Sequence, residues 1–227
     1  MSHDPADIVL ADDHWRVIVA PAHGMLIRSA VDVPSGAAAL WRKPAPRARP
    51  ASRALSPPGP ASIDTFWDVF AGGWFPMFPA AGFTGELDGA PTLFHGELNR
   101  LPWEVVDRGP TWIEARVETV RSPFAVQRRV AVDRGELRVE TAIANVGAAP
   151  ASYVYGEHPC LWRTTFAGGR LLLSFAYDDW DMLAVEPVSA PGRGVEDAVA
   201  GGSVRTLDPG RRVRTGLAAR WHQHDPG

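Results

Sequence analysis

Two of the seven histidines stand in settings suited to proton chemistry. His158 lies in "YVYGEHPCLW" (153–162), behind Tyr153 and Tyr155 and between Glu157 and Pro159, and His95 opens "HGELNRLPWEV". Imidazole titrates near neutral pH, so a histidine held among aromatic residues can pass a proton to or from a reacting oxygen. It can equally be a satisfied core residue or a metal ligand, and the surroundings must decide. Side chains alternate along a strand, so Glu157 is expected to face away from its neighbour His158. Cys160 sits two residues past His158 and raises a Cys–His nucleophile. No motif supports it, and a lone cysteine is more often a small buried hydrophobe. In "WHQHD", His222 and His224 share a face and could bind a metal with Asp225, although a solvated tail is the plainer reading. His3, His14 and His23 show no constellation, and no metal or organic cofactor is expected.

These residues need a scaffold, and the chain reads as β throughout. Trp15, Val17 and Val19 alternate on one face, Gly24 interrupts, and "MLIRSAV" resumes as a second strand. "GAAALW" reads as a further short strand. Lys43–Pro60 is proline-rich and reads as a surface loop, because each missing N–H argues against a central strand. "FWDVFAGGWFPMFPAAG" is aromatic but punctuated by Gly72, Gly73, Pro76 and Pro79, which suggests a buried irregular lining. From Thr111 the alternation is clean: "WIEARVETV", "FAVQRRVAVD" and "ELRVETAIANVG" are successive strands. Leu137, Val139, Thr141 and Ile143 share one face, and Arg138 and Glu140 share the other. "DRGE" and "NVGAAP" supply turns, and "RLLLSFAYDDW" and "VRTLDPGRRVRTGLAARW" continue the pattern. No long amphipathic helix stands out. The expected fold class is all-β, a large antiparallel sandwich forming one domain over residues 1–227.

Composition narrows the functional classes. Gly (22) and Pro (21) are in excess, which suits many strands and turns, and the formal charge of −3 has no long run of either sign. Nothing points to nucleic acid as a partner. One cysteine forbids an intrachain disulfide and suggests a reducing compartment. "MSHDPADIVL" lacks a signal-peptide pattern, and no apolar run nears the roughly 20 residues that span a bilayer. The expectation is a soluble, cytoplasmic protein with no membrane partner.

The ordered set "GGWFPMFPAAG", "HGELNRLPWEV" and "SPFAVQRRVAVDRGELRVETAIANVGAAPASYVYGEHPCLW" resembles the aldose 1-epimerase (galactose mutarotase-like) family. In that family a Gly-Gly-x-x-Pro segment precedes a His-Gly, a Pro-Trp-Glu strand, an Asn-x-Gly and a His-Pro. The resemblance implies a β supersandwich with a sugar cleft on one sheet and interconversion of α and β anomers of a free monosaccharide. By motif, His158 matches the acid that protonates the ring oxygen, and His95 matches the second histidine that holds the sugar. Trp74, Phe75 and Phe78 could offer aromatic faces to a pyranose. Asn99 and Arg100 could bond its hydroxyls, and Asp179 could do so from the acidic stretch after a strand.

The family's base, a glutamate in a late strand, has no counterpart where the chain stops at "RWHQHDPG". Glu157, Glu97 and Asp178, Asp179 and Asp181 are the candidate substitutes. The competing readings are a non-catalytic carbohydrate-binding protein and a chain that is C-terminally incomplete against the family pattern. A carboxylate facing His158 would discriminate. The hexose-6-phosphate branch places an arginine before the Gly-Gly and another four residues after the first histidine. Here "IDTFWDVFAGG" has none, and Asn99 occupies the second position with Arg100 one residue along. That one-residue shift favours an unphosphorylated sugar.

Overall fold

A computed structural model describes residues 7–43, 58–162, 175–177 and 182–220. In chain order the strands are β1 (Ile8–Ala11), β2 (Trp15–Ala20), β3 (Leu26–Asp32), β4 (Trp74–Met77), β5 (Glu86–Leu87), β6 (Ala90–Pro91), β7 (Glu104–Arg108) and β8 (Trp112–Glu118). They continue as β9 (Phe124–Asp133), β10 (Glu136–Asn145), β11 (Ala151–Tyr153), β12 (Gly156–Trp162), β13 (Phe175–Tyr177), β14 (Met182–Ala184), β15 (Arg205–Leu207) and β16 (Arg212–Arg220). Helices α1 (Ala61–Val69) and α2 (Val195–Ala200) are short.

Two antiparallel sheets dominate, one ordered β1-β2-β3-β4-β12-β14-β13 and the other β16-β10-β9-β8-β7. The alternation expected from the sequence is realised: β9 buries Phe124, Val126, Arg128, Val130 and Val132, and β10 buries Leu137, Val139, Thr141 and Ile143. The apolar ones among them meet Trp15, Val17, Val19 and Ile27 of the first sheet in the inter-sheet core. The mostly antiparallel β architecture is as expected. "GAAALW" makes only isolated bridges, Ala38 to Val31 and Leu40 to Leu161, rather than a strand.

The aromatic segment after residue 60 is more regular than its glycines and prolines suggest. It begins in α1, whose Ser62 hydroxyl donates to Gly59 O (2.6 Å) and accepts from Phe94 N–H (2.8 Å). It passes Gly72 and Gly73 at φ 74° and 81° and becomes β4. A Cβ on Gly73 would lie 2.6 Å from Ile27 O, so only glycine lets β4 come this close to β3. Phe66, Phe70 and Phe75 then form a second apolar cluster on the outer face of the first sheet, with Met77, Phe94, Cys160 and Met182.

β12 lies in the middle of its sheet despite Pro159. Gly156–Pro159 pair with β4, and Cys160–Trp162 pair with β14. The proline, which has no N–H to donate, falls where the strand changes partner. Among the described residues no helix is long and apolar enough to cross a membrane.

Candidate acid–base site

The register of β12 sorts its side chains. Phe75 of β4 pairs with His158, and the two rings stack at 4.5 Å and 15° on the outer face. His95 arrives from the turn before the 3₁₀ segment Leu98–Arg100. It adopts φ 58°, a left-handed conformation uncommon for a residue with a Cβ, and Gly96 follows at φ 71°. A Cβ on Gly96 would lie 2.2 Å from Phe78 O, so the turn can hug β4 only with glycine there. Glu97 N–H donates to the same Phe78 carbonyl (2.7 Å), and Asn99 Nδ2 donates to His95 O (2.9 Å). Together these bonds aim His95 at His158, with ring centroids 5.1 Å apart.

Glu186 completes the cluster from the segment after β14, its Oε1 3.3 Å from His158 Nε2. Ligand-type atoms of His95, His158 and Glu186 lie within 4.8 Å of one another. Both histidines are 4 % exposed. The Glu186 side chain is 18 % exposed and is the most solvent-accessible of the three. Phe66, Phe70 and Phe94 surround the imidazoles.

The two histidines are tuned in opposite directions. Burial, then His158 and Arg100, hold His95 well below the ordinary histidine range. Its Nδ1 accepts from Gly82 N–H (3.3 Å), so the neutral ring carries its proton on Nε2. For His158 burial alone would lower the pKa. Cys160, whose Sγ is 3.3 Å from Nδ1, and then Glu186 outweigh that and push it up to about 10. The cluster therefore presents a neutral donor, a cationic acid and a carboxylate. With Nδ1 accepting from Gly82 N–H, a cation at His95 Nε2 would have to displace its proton. The donor pattern suits hydroxyl and ring oxygens.

The other sequence candidates go elsewhere. Trp74 and Phe78 do not join the histidines. Both pack in the inter-sheet core, where Trp74 Nε1 donates to Glu157 Oε2 (2.8 Å) and Phe78 meets Phe124, Tyr153 and Tyr155. Alternation on β4 leaves Phe75 on the outer face, where it supports His158. Arg100 is clamped in place: its guanidinium donates to Ser62 O (3.1 Å), Phe94 O (3.0 Å) and Thr65 Oγ1 (3.3 Å). Asn99 braces the His95 turn. Glu97 accepts from Val120 N–H, Arg121 N–H and the Ser122 hydroxyl and pins that loop. Asp178, Asp179, Asp181, His222, His224 and Asp225 lie outside the described residues.

Glu157 faces away from His158, as alternation requires. It is 2 % exposed and bonded to Arg128, Tyr155 and Trp74, with Arg128 Nη2 at 2.9 Å. Arg128 was legible in advance, because the period of β9 aims it inward between Val126 and Val130. Glu186 was not, because no motif singles it out from Glu157, Glu97 or the acidic cluster of Asp178, Asp179 and Asp181. Its signal was a lone carboxylate in "AVEPV", immediately after a short apolar strand.

A cleft of about 580 Å³ lies near Asp12, His14, Trp112, Arg129 and Glu140. There the Arg129 guanidinium already covers the Trp112 ring at 3.9 Å, and most charged groups are exposed. Convergent, oppositely tuned groups are stronger evidence of chemistry than volume, and those belong to the histidine cluster.

No protein-family model and no curated protein matches the chain. Solved structures do. Slr1438 protein from Synechocystis sp. PCC 6803 superposes with TM-score 0.72 at 17 % identity, covering 95 % of both chains. The galactose mutarotase related enzyme from Lactobacillus acidophilus gives 0.67 at 12 %, covering 96 % of this chain and 97 % of that one. A galactose mutarotase-like protein from Lactobacillus casei ATCC 334 gives 0.68 at 14 %, covering 95 % and 100 %. At these identities the likeness is one of fold, and the fold is galactose mutarotase-like.

Proposed function

We propose that this protein interconverts the α and β anomers of a free monosaccharide, with His158 as general acid, Glu186 as general base and His95 positioning the sugar. The observation that carries this reading is the Glu186 carboxylate beside His158 Nε2. Ring opening needs a proton delivered to the ring oxygen while another leaves the anomeric hydroxyl. Both oxygens sit on one carbon, so an acid and a base in mutual contact can serve them together. His158 gives its Nε2 proton to the ring oxygen, Glu186 takes the hydroxyl proton, and the ring C–O bond breaks to give the open-chain aldehyde. Rotation about the aldehyde carbon and reversal of both transfers yield the other anomer. His95 Nε2–H donates a hydrogen bond to the substrate and remains neutral.

With this carboxylate in place, the reading does not depend on a C-terminal glutamate, and catalysis is favoured over binding alone. The occupied guanidinium of Arg100 favours an unphosphorylated sugar. Anomer exchange of glucose and galactose followed by NMR tests the proposal. Acceleration that is lost in His158→Ala supports it, and binding without acceleration would leave a carbohydrate-binding protein.

A further inference from the structure

We propose that Cys160 is a positioning residue for His158: its thiol holds Nδ1 so that Nε2 stays turned toward Glu186 and the substrate. The role assigned to Nε2 rests on the epimerase reading, whereas the thiol–imidazole contact stands on geometry. Cys160 follows His158 by two residues on β12 and so shares its face. It is fully buried, with Sγ 3.3 Å from Nδ1. Its backbone is fixed on both sides, the N–H donating to Gly73 O (2.8 Å) and the carbonyl accepting from Trp41 N–H (2.9 Å). These bonds fix the Cβ position, and the apolar packing around the thiol holds Sγ against the ring.

A thiol is a weak donor and a weak acceptor, and here both capacities are used. When His158 is an imidazolium, Nδ1–H donates to Sγ and Nε2–H points at Glu186 or the sugar. After Nε2 has given its proton to the ring oxygen, Nδ1–H still donates to Sγ and Nε2 waits, bare, for the proton to return. If the free ring is neutral and keeps Nε2–H toward Glu186, the S–H donates to Nδ1. The ring is partnered in every state and has no reason to flip. The sulfur lies on the side of the imidazole away from Glu186 and among apolar side chains including Phe70, Phe75 and Met182. It is badly placed to attack a substrate but well placed to steer the ring.

The charged or titratable groups facing His158 are Cys160 on its own strand, Glu186 from the segment after β14, and His95 with Arg100 behind it from the turn before the 3₁₀ segment. Phe75 and Phe70 contribute no charge. The test is a ¹⁵N-histidine NMR titration of wild type, Cys160→Ala, Cys160→Ser and Cys160→Val, with kcat and KM measured alongside. In Cys160→Ala the His158 midpoint is expected to fall from about 10, and kcat to drop by up to roughly 10²-fold, the scale of a 1 Å misplacement. KM is expected to hold. Cys160→Ser, whose hydroxyl also donates and accepts, should restore kcat through the hydrogen bond to Nδ1. Should the alanine variant fold poorly, Cys160→Val fills the space without a partner for Nδ1 and should show the same losses. An unchanged midpoint and kcat in either apolar variant would overturn the proposal. A wild type inert toward sugars whose titration still shifts in Cys160→Ala would sink the epimerase reading and leave the thiol's hold on the ring intact.

Discussion

Glu157 and His158 are consecutive residues of one strand, and the two faces of β12 show what a buried ionic group is for. On the inner face Glu157 meets Arg128 between the sheets and also bonds Tyr155, Trp74 and, through the tyrosine and the arginine, Thr141. Burial alone would lower the Arg128 pKa, but Glu157 and then Tyr155 raise it. Burial and the same glutamate push the Tyr155 phenol up. This network ties the two sheets together through buried side chains, and such networks fix structure. On the outer face the carboxylate of Glu186 keeps contact with solvent, and the two histidines it joins are tuned apart. Under the proposed function a substrate oxygen would enter that set.

The sharpest way to break the comparison is to exchange the losses. His158→Ala is expected to reduce catalysed anomer exchange by about 10²–10⁴-fold, the usual share of a positioned acid, while the fold survives. Glu157→Leu should do the reverse. It strands Arg128 in the core and costs about 3–5 kcal/mol of stability in chemical denaturation. Pairing it with Arg128→Met removes both charges and should recover most of that loss in a double-mutant cycle. If Glu157→Leu abolished exchange without destabilising the protein, the assignment of the faces would be reversed.

Stability against pH separates the histidines next. His158 titrates higher folded than unfolded, so its contribution is complete below about pH 6.5 and fades as pH rises toward about 10. His95 titrates lower when folded, so its contribution is present above about pH 6.5 and fades as pH falls below it. Urea midpoints should therefore decline on both sides. His158→Gln is expected to flatten the alkaline limb and, by removing a cation beside His95, to soften the acid limb, whereas His95→Gln should flatten only the acid limb. Trp74→Phe deletes one donor to Glu157 and should cost roughly 1–3 kcal/mol without affecting exchange. The smallest effect is expected from Asn99→Ala, about 1 kcal/mol through the His95 turn.

The fold was legible because β9 and β10 alternate without interruption over ten residues each. The two candidate histidines came from motif, and the turn of Glu157 away from His158 followed from the strand period. What the sequence hid has physical causes. Trp74 and Phe78 belong to the opposite face from the histidines, and alternation cannot say which face of a strand carries a site. Arg100 looks like a surface cation until the backbone carbonyls of Ser62 and Phe94 close around it. Glu186 reaches His158 only because β14 pairs with the second half of β12, a long-range register that no local pattern encodes.

The most direct test of the account is the rate of glucose and galactose anomer exchange, measured by NMR for wild type and Glu186→Gln at a pH where spontaneous exchange is slow. Glutamine keeps the size of the side chain and removes its basicity. The expected result is acceleration by wild type that falls by about 10²–10⁴-fold in the variant, with the fold retained. Equal acceleration by the two proteins would contradict the assignment of Glu186 as the base and return the search to a carboxylate elsewhere in the chain.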